Sequence, residues 1–408
     1  MSEREFDVVV FGATGFTGSL VAEYLAARYG CRGEVRWAIA GRSATRLNAL
    51  KSSLGEDASA IMTIVADSQD DAALATLAGR TRVVLTTVGP YALYGSKLVA
   101  ACVNAGTHYC DLAGEVQWIR QMIDKHHERA AASGARIVHC CGFDSIPMDM
   151  GVYFLQQEAM RRRGSCCSEI ALFVKAMSGS ASGGTLASMM NLVKEARENR
   201  DVLRLLSDPY ALNPEGERHG PDGRDQQKVL RDDVAGGWTA PFIMAGVNTR
   251  VVRRSHALAG YPWGTDFRYR EAVMTGTGAG GWLKGNMMAV ALGALATGIY
   301  FRPTRHLLRR FVLPKPGEGP DEKAREAGFF NLMQVGKLPD GEIIRTRITG
   351  DRDPGYGSTS KMLAEAAVCL AKDKLASPGG VLTPAFAMGD HLLERLRANA
   401  GLTFDVRE

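Results

Sequence analysis

Three glycines spaced as GxxGxxG follow an apolar run near the start of the chain, in "VVVFGATGFTGSLVAEYLA". The run before them is typical of a strand buried on both faces, and the residues after them recur with a helical period. In this strand–turn–helix context Gly12 permits the tight turn, Gly15 lets the backbone approach a pyrophosphate, and Gly18 lets the helix pack close to the strand. The N–H groups at the helix start favour an anion. The pattern therefore predicts a dinucleotide site, in a variant one residue wider than GxGxxG.

The end of the second predicted strand indicates which dinucleotide is bound. An acidic residue usually holds the ribose 2′-hydroxyl of NAD at this position, but the strand over residues 35–43 ends in Gly41, Arg42 and Ser43. Because a guanidinium and a hydroxyl suit a 2′-phosphate, the sequence favours NADP. The alternative is an ordinary solvated arginine at a strand end. Asp67, after the third strand, is expected near the adenine.

Alternating strands and helices must position this turn. Predicted strands cover residues 6–11, 35–43, 60–67 and 81–91, with shorter ones in "THYC" and "ARIVH", and helical patterns separate them. This alternation predicts an α/β fold with a doubly wound parallel sheet. Since ligands bind beyond the carboxyl ends of the strands in such sheets, the rim of the site is expected at residues 87–94, 111–115 and 142–145.

Three side chains on this rim are candidates for catalysis. Tyr91 and Tyr94 in "GPYALYG" could donate a proton or hold an oxygen, or they could simply pack on the cofactor. Asp144 in "GFDSIP" could act as an acid, with helix capping as the alternative. The vicinal Cys140 and Cys141 are expected to be packing residues, with a thiolate nucleophile as the alternative.

Substrate contacts are expected on loops near the same rim. The carboxylates that flank "DLAGE" could orient a substrate or bond to the nicotinamide ribose, although Glu115 could equally be a first-turn helix residue. Further along, the small residues of "SGSASGGTLAS" would let backbone approach a ligand, or would form a flexible turn before a helix. The predicted substrate contacts are Asp111, Glu115, Ser145, Gly183, Gly184 and Thr185.

The composition excludes several classes of protein. With 408 residues, of which 46% are hydrophobic and 23% charged, the chain is typical of a globular protein of two to three domains. A net charge of +5 is too mild for nucleic acid to be the expected partner. The eight cysteines include no CxxC pair, and the charged N-terminus contains no signal segment. We therefore expect a reduced, cytoplasmic protein without disulfides or a metal site.

An uncharged stretch, residues 286–301, lies between glycine-rich sequence and a basic stretch that ends near Val312. It is short for a bilayer-spanning helix, which needs about 20 apolar residues. An apolar helix followed by a basic amphipathic one is typical of a protein that rests on a membrane surface, and it would also suit the wall of a long-chain substrate tunnel. The alternative is a buried core helix followed by a solvated one. Residues 286–312 are therefore the expected site of peripheral membrane contact.

Several longer motifs occur in order along the chain: "GATGFTG", "AGRS", "VGPYALYG", "GTHYCDLAGE", "CGFDSIPMDMGV", "SGGTLASMMNLVKEA", "DPYALNP", "DPGYGSTSKMLAEAAVCLA" and "GGVLTPAFAMGDHLLERL". Together they resemble the saccharopine dehydrogenase-like oxidoreductases, and most of all the trans-acting enoyl reductases of polyketide-derived lipid synthesis. The resemblance covers nearly the whole chain. It implies an NADP(H) site formed by Gly12, Ala13, Thr14, Gly15, Phe16, Thr17, Gly18, Arg42, Ser43, Thr87, Val88, Gly89 and Pro90.

The resemblance also implies a domain organisation. It places a Rossmann domain at residues 1–147 and a mixed α+β substrate domain at residues 148–350. A C-terminal helical part, residues 351–408, is expected to pack back on the first domain.

The activity implied by the resemblance is transfer of hydride from NADPH to a C=C bond of a lipid or polyketide-type acyl substrate. Two alternatives stay open. A saccharopine-type amino-acid dehydrogenase would need convergent cations, for which Arg250, Arg253 and Arg254 are candidates, although a strand would scatter them over both faces. A non-catalytic NADP-binding protein attached to lipid is the other alternative. The oligomeric state is also open, a homodimer included.

Overall fold

The computed structural model describes residues 4–179, 183–301, 304 and 319–407, and two seven-stranded sheets form its framework. The strands of the first sheet are β1 (Phe6–Phe11), β2 (Trp37–Gly41), β3 (Met62–Val65), β4 (Thr81–Thr86), β5 (His108–Cys110), β6 (Arg136–Val138) and β13 (Gly380–Leu382). Their order is β13–β6–β5–β4–β1–β2–β3, and all neighbours are parallel. The predicted doubly wound parallel sheet is thereby confirmed.

Helices alternate with these strands and cover the sheet. They are α1 (Phe16–Tyr29), α2 (Ala44–Ser53), α3 (Asp71–Arg80), α4 (Tyr91–Tyr94), α5 (Ser96–Ala105) and α6 (Val116–Ser133), with a 3-10 turn at Glu56–Ala60. All six residues of β1 are buried, because helices lie on both faces of the sheet. The residues of β1 are therefore apolar on both faces, apart from Asp7, whose carboxylate accepts a hydrogen bond of 2.9 Å from the N–H of Arg36.

The second sheet is mixed. Its strands are β7 (Glu169–Ser178), β8 (Leu230–Asp232), β9 (Gly237–Ala240), β10 (Arg268–Gly276), β11 (Phe329–Lys337), β12 (Ile343–Gly350) and β14 (Leu402–Arg407), in the order β14–β12–β11–β7–β10–β9–β8. β7 and β10 are parallel, and the other neighbours are antiparallel. The remaining helices are α7 (Ile146–Arg163), α8 (Gly183–Glu198), α9 (Arg200–Ser207), α10 (Ala245–Leu258), α11 (Gly278–Tyr300), α12 (Glu322–Ala327), α13 (Gly357–Lys372) and α14 (Pro384–Ala398).

The C-terminal residues complete both sheets. Helix α13 packs against α1, β1, β4 and β5, and 13 of its 16 residues are buried. One apolar core extends from the first sheet, with Val8 and Leu85, through Leu363 of α13 to Leu172 and Ile348 of the second sheet. β13 joins the first sheet and β14 the second, whereas the sequence predicted only helices in this part. The three residues of β13 are too few for a clear period of two, whereas β14 does alternate between more and less buried positions.

Helix α11 lies mostly on the surface of the protein. Of its 23 residues only Gly281, Gly285 and Ile299 are buried, so the alternative of a buried helix is wrong. The helix packs against β9 and β10, and its glycines allow the close approach to β10: a Cβ on Gly281 would overlap the carbonyl oxygen of Gly276, and one on Gly285 would lie 3.1 Å from Oγ1 of Thr275. Among the described residues, no helix is both long enough and apolar enough to cross a bilayer. Of the predicted membrane segment, residues 302, 303 and 305–312 lie outside the described residues.

Candidate functional site

A cleft of about 790 Å³ opens at the carboxyl ends of the strands of the first sheet. The glycine turn, α4 and the loop before α7 line one side, and α8 and the loop before α10 line the other. The start of α13 closes one end. The cleft thus joins the two halves of the molecule where the parallel strands end, as expected for an open α/β sheet.

The glycine turn leaves room for an anion at the start of α1. Gly12 has φ +87°, and a Cβ on it would lie 2.6 Å from Val88 Cγ2. A Cβ on Gly18 would overlap the carbonyl oxygen of Gly12, whereas one on Gly15 would meet only that oxygen, at 3.3 Å. Helix α1 has no side-chain cap and no acidic residue in its first turn. Its first N–H groups therefore remain available to a pyrophosphate, and these residues fit NADP(H).

Other predicted cofactor residues surround this turn. Thr87 lines the cleft and donates its hydroxyl to the carbonyl oxygen of Gly12 at 3.2 Å. Ala13 is fully buried beneath the turn, and the Thr14 hydroxyl lies near Gly41 at the end of β2. Val88 packs at the edge of the core. The predicted residues that line the cleft are Gly15, Phe16, Thr17, Thr87, Gly89 and Pro90.

The residues predicted at the adenosine end follow β2 and β3. Arg42 is exposed. Ser43 caps α2, because its hydroxyl accepts a hydrogen bond of 3.3 Å from the backbone N–H of Arg46. Asp67 is exposed beyond β3, where its carboxylate accepts from the N–H of Gln69 at 2.9 Å. All three lie outside the lining of the cleft.

Asp144 presents a carboxyl group to the cleft. Burial raises its pKa to about 6. Among the described residues no hydrogen bond or ion pair engages this carboxyl, and the cap of α7 contains no side-chain hydrogen bond. The structure therefore leaves Asp144 free to exchange a proton with a bound molecule near neutral pH.

The two tyrosines of α4 differ in how free their hydroxyls are. Both line the cleft. The Tyr91 hydroxyl donates to the carbonyl oxygen of Thr86 and accepts from the N–H of Leu112, each at 3.2 Å, and burial raises its pKa well above the ordinary value. Tyr94 is 40% exposed. Tyr91 is thus held as part of the wall, whereas Tyr94 stands at the open side.

Glu115 ties the cleft wall together. Its carboxylate accepts hydrogen bonds from the N–H groups of Tyr91 (2.8 Å) and Ala92 (3.0 Å), at the start of α4. It also accepts from the hydroxyl of Ser188 in α8, at 2.8 Å. Burial raises the pKa of this carboxyl, and the three hydrogen bonds oppose the shift. Glu115 therefore links the first domain to α8 across the cleft.

Two predicted substrate contacts lie away from the cleft. Asp111 is fully buried, where it accepts a hydrogen bond of 2.9 Å from the Tyr109 hydroxyl and lies 2.7 Å from Nδ1 of His139. Ser145 is also fully buried, and its hydroxyl lies 3.2 Å from the side-chain oxygen of Asn248. Both side chains organise the loops behind the site.

Gly183 and Gly184, which were predicted to contact the substrate, line the cleft at the start of α8. The side chain of Thr185, predicted with them, lies outside the described part of the structure. Sequence reasoning missed Tyr356, whose hydroxyl accepts a hydrogen bond of 3.1 Å from the N–H of Gly183. Its ring contacts that of Phe16 edge-on, with centroids 4.7 Å apart. The only signal for Tyr356 was the motif "DPGYGSTS", far from the glycine turn in the chain.

The rest of the lining is mostly apolar, with Ser188 and Thr359 as its hydroxyl side chains. It includes Met177, Ala187, Met189, Leu192, Leu206, Phe242, Ile243, Met244, Val247 and Leu295. Among the described residues that line the cleft there is no lysine, arginine or histidine; the only ionisable carboxyls are Glu115 and Asp144. The cleft therefore suits an apolar molecule better than a small dicarboxylate.

The three arginines proposed for an amino-acid substrate lie elsewhere. They belong to helix α10 rather than to a strand. Arg250 pairs with Asp225 at 2.8 Å and Arg253 with Asp222 at 2.6 Å, while Arg254 donates to two backbone carbonyls. All three are buried. Their guanidinium groups are bound to other groups of the protein, so they form no substrate site.

The vicinal cysteines are buried and free. Cys140 lines the cleft, and its thiol donates to the carbonyl oxygen of Ala113 at 2.9 Å. Burial raises the pKa of both the Cys140 and Cys141 thiols well above the ordinary value. These thiols stay protonated near neutral pH, which disfavours a thiolate nucleophile.

Comparison with known proteins agrees with this geometry. A model of the saccharopine dehydrogenase NADP-binding domain matches residues 8–138. A Mycobacterium tuberculosis protein, described as a candidate trans-acting enoyl reductase, is 43% identical over 99% of this chain and 98% of its own. The trans-acting enoyl reductase of Mycobacterium ulcerans is 40% identical over 97% of this chain and 96% of its own.

Among solved structures, apo saccharopine dehydrogenase (L-Glu forming) from Saccharomyces cerevisiae shares the fold. The TM-score is 0.54 at 13% identity, over 98% of this chain and 99% of that one. The family resemblance predicted from the motifs is therefore confirmed. The chain belongs to the family of the mycobacterial trans-acting enoyl reductases, and its first domain is an NADP-binding domain of the saccharopine dehydrogenase type.

Proposed function

We propose that this NADP-dependent oxidoreductase is an enoyl reductase that acts on an apolar acyl group of lipid metabolism. The observation that carries the proposal is the lining of the cleft, which combines an NADP(H)-compatible turn with apolar walls, one unengaged carboxyl group and, among the described residues, no cation. The names of the relatives point to the same activity. A dicarboxylate amino acid would instead leave its charges unpaired in such a cleft.

When bound, NADPH supplies the hydride that adds to the β-carbon of an activated C=C bond. Reduction also needs a proton at the α-carbon, and we assign its delivery to Asp144, whose raised pKa of about 6 keeps part of the group protonated near neutral pH. We assign the binding of the acyl carbonyl oxygen to the hydroxyl of Tyr94, since this side chain lines the open side of the cleft. Glu115 acts indirectly, because its hydrogen bonds hold α4 and α8 in place.

A chain-length series tests this function. The purified protein is incubated with NADPH and trans-2-enoyl thioesters of increasing length, while NADPH oxidation and the saturated product are followed. Each additional methylene buried in the cleft contributes about 0.8 kcal/mol, so we expect kcat/KM to rise about fourfold per methylene until the cleft is filled.

A dicarboxylate amino acid paired with a 2-oxo acid serves as the control substrate and is expected to give no turnover. Turnover of that pair together with inert enoyl thioesters would reject the proposal. Tight NADPH binding without turnover of either class would favour the non-catalytic alternative.

Peripheral membrane contact, predicted for residues 286–312, also remains a proposal. The exposed apolar side chains of α11 support it for the described residues up to Phe301.

A further inference from the structure

The outward side of helix α11 exposes apolar surface on a scale unusual for a water-soluble domain. Seven large apolar side chains on the helix, or directly after it, are 37–71% exposed: Trp282, Leu283, Met287, Met288, Val290, Tyr300 and Phe301. Only one residue of the helix, Lys284, carries a charge. An ordinary surface helix has the opposite arrangement, with polar residues outward. The outward side of α11 is therefore built to be covered.

The same helix reaches the cleft with its inward side. Leu295 is part of the cleft lining, and α11 packs against α8, which forms one cleft wall. Two further lining residues, Met177 and Ile243, are themselves 46% exposed. The opening of the cleft is thus apolar, and an apolar helix lies beside it.

Aromatic and cationic side chains lie at the two ends of α11. At its start, Arg231, Trp238 and Trp282 line a shallow pocket. At its end, the Arg197 guanidinium lies 4.6 Å from the centre of the Tyr300 ring and donates to the carbonyl oxygen of Tyr300 at 2.7 Å. Aromatic rings and cations at the ends of an apolar segment are typical of a helix placed at the boundary between lipid and water.

We propose that α11 docks on an anionic phospholipid surface with its axis along that surface, and that the cleft opens toward the lipid. The identity of the molecule that enters the cleft rests on the proposed function, whereas the docking of α11 does not. An apolar acyl substrate could then move from the lipid layer into the cleft without crossing water.

The width of the exposed arc favours lipid over a second copy of the chain. At 100° per residue, the exposed positions from Trp282 to Val290 span an arc of about 240°, two thirds of the helix circumference. A helix that packs on one partner helix needs only a narrow apolar stripe. Lipid tails can cover a wider arc, because they adapt to the surface of the helix.

Vesicle sedimentation tests the proposal. The full-length protein is mixed with vesicles of phosphatidylcholine plus phosphatidylglycerol, or of phosphatidylcholine alone, and the pelleted fraction is measured. The variant M287E/V290E places two carboxylates on the outward side of α11. The matched control M160E/I343E changes two other exposed apolar residues, which lie on α7 and β12. We expect wild type and control to pellet with the anionic vesicles, and the α11 variant to bind about tenfold or more weakly.

Equal binding by wild type and the α11 variant would overturn the proposal, as would failure of the wild type to pellet. Binding to both kinds of vesicle alike would overturn the anionic preference. If light scattering without vesicles finds an oligomer that only M287E/V290E dissociates, the outward side is covered by a second copy instead. NADPH affinity and turnover of a short, water-soluble enoyl thioester should be equal in all three proteins. These readouts separate failure of docking from failure of the proposed reductase activity.

Discussion

At the scale of single residues, the two carboxyl groups of the cleft have different environments. Burial raises the pKa of both Asp144 and Glu115. Glu115 accepts three hydrogen bonds from protein groups, so its oxygens are occupied. Asp144 accepts none within the described residues. A proton donor must be able to reach the substrate, and this requirement favours Asp144 over both Glu115 and the engaged hydroxyl of Tyr91.

We predict that D144N lowers kcat about 100-fold or more, the scale of a lost general acid, while the Kd for NADPH changes little. The wild-type kcat should fall as pH rises through about 6 and above, because deprotonation of Asp144 removes the donor. The measurement is kcat against pH at saturating NADPH, together with the NADPH Kd from fluorescence.

The pH profile separates this role from a structural one. In D144N the residual kcat should no longer fall as the pH rises through about 6. Y94F is the companion variant and should retain the wild-type pH profile, because it leaves the proton donor Asp144 in place. An unchanged profile in D144N would show that another group supplies the proton.

At the scale of elements, the turn between β1 and α1 uses its glycines for different purposes. Gly18 is needed for packing, since any side chain would overlap the carbonyl oxygen of Gly12. Gly15 faces the cleft, and a Cβ on it would meet only the carbonyl oxygen of Gly12, at 3.3 Å, a tight contact that a small shift relieves. Gly18 therefore serves the packing of the fold, and Gly15 serves the binding of the ligand.

Two alanine substitutions distinguish these uses. We expect G15A to raise the NADPH Kd about tenfold or more, because the methyl group occupies the approach of the pyrophosphate, with little change in Tm. We expect G18A to lower the free energy of unfolding by about 1–3 kcal/mol, the usual cost of overpacking. Thermal unfolding and NADPH titration of both variants provide the measurement. A loss of Tm in G15A as large as in G18A would contradict this assignment.

At the scale of the whole molecule, the two halves share one core. Helix α13 covers part of the first sheet although it follows strands β1 to β6 by more than 200 residues, and β13 extends the same sheet beyond β6. Buried residues of α13, such as Leu363 and Val368, belong to the core that continues into the second sheet. The first sheet is therefore incomplete without the C-terminal residues.

We predict that residues 1–147 alone form no cooperatively unfolding domain. Removal of α13 would expose the apolar residues of β1 and β4 that it covers, and the hydrophobic stabilisation of that surface would be lost. Circular dichroism during heating of this fragment, compared with the full chain, is the measurement. A sharp transition and NADPH binding by the fragment would show that the first domain folds independently.

The sequence by itself determined the features that depend on local patterns. The glycine turn, the strands β1 to β6 and the helices between them follow from apolar runs, turn residues and helical periods, which act over a few neighbouring residues. The cleft-lining residues near Gly15 were predictable for the same reason. The motifs also predicted the family, which the comparisons confirm.

Only the tertiary structure decided which of these residues meet, and which charges remain free. Tyr356 contacts Phe16 across 340 positions of chain, and Arg250 and Arg253 are neutralised by aspartates of a distant loop. The sequence also left the exposure of α11 undecided, because an apolar helix has the same sequence pattern whether protein or lipid covers it. Burial and pairing depend on the long-range packing of both sheets, so no local pattern contains them.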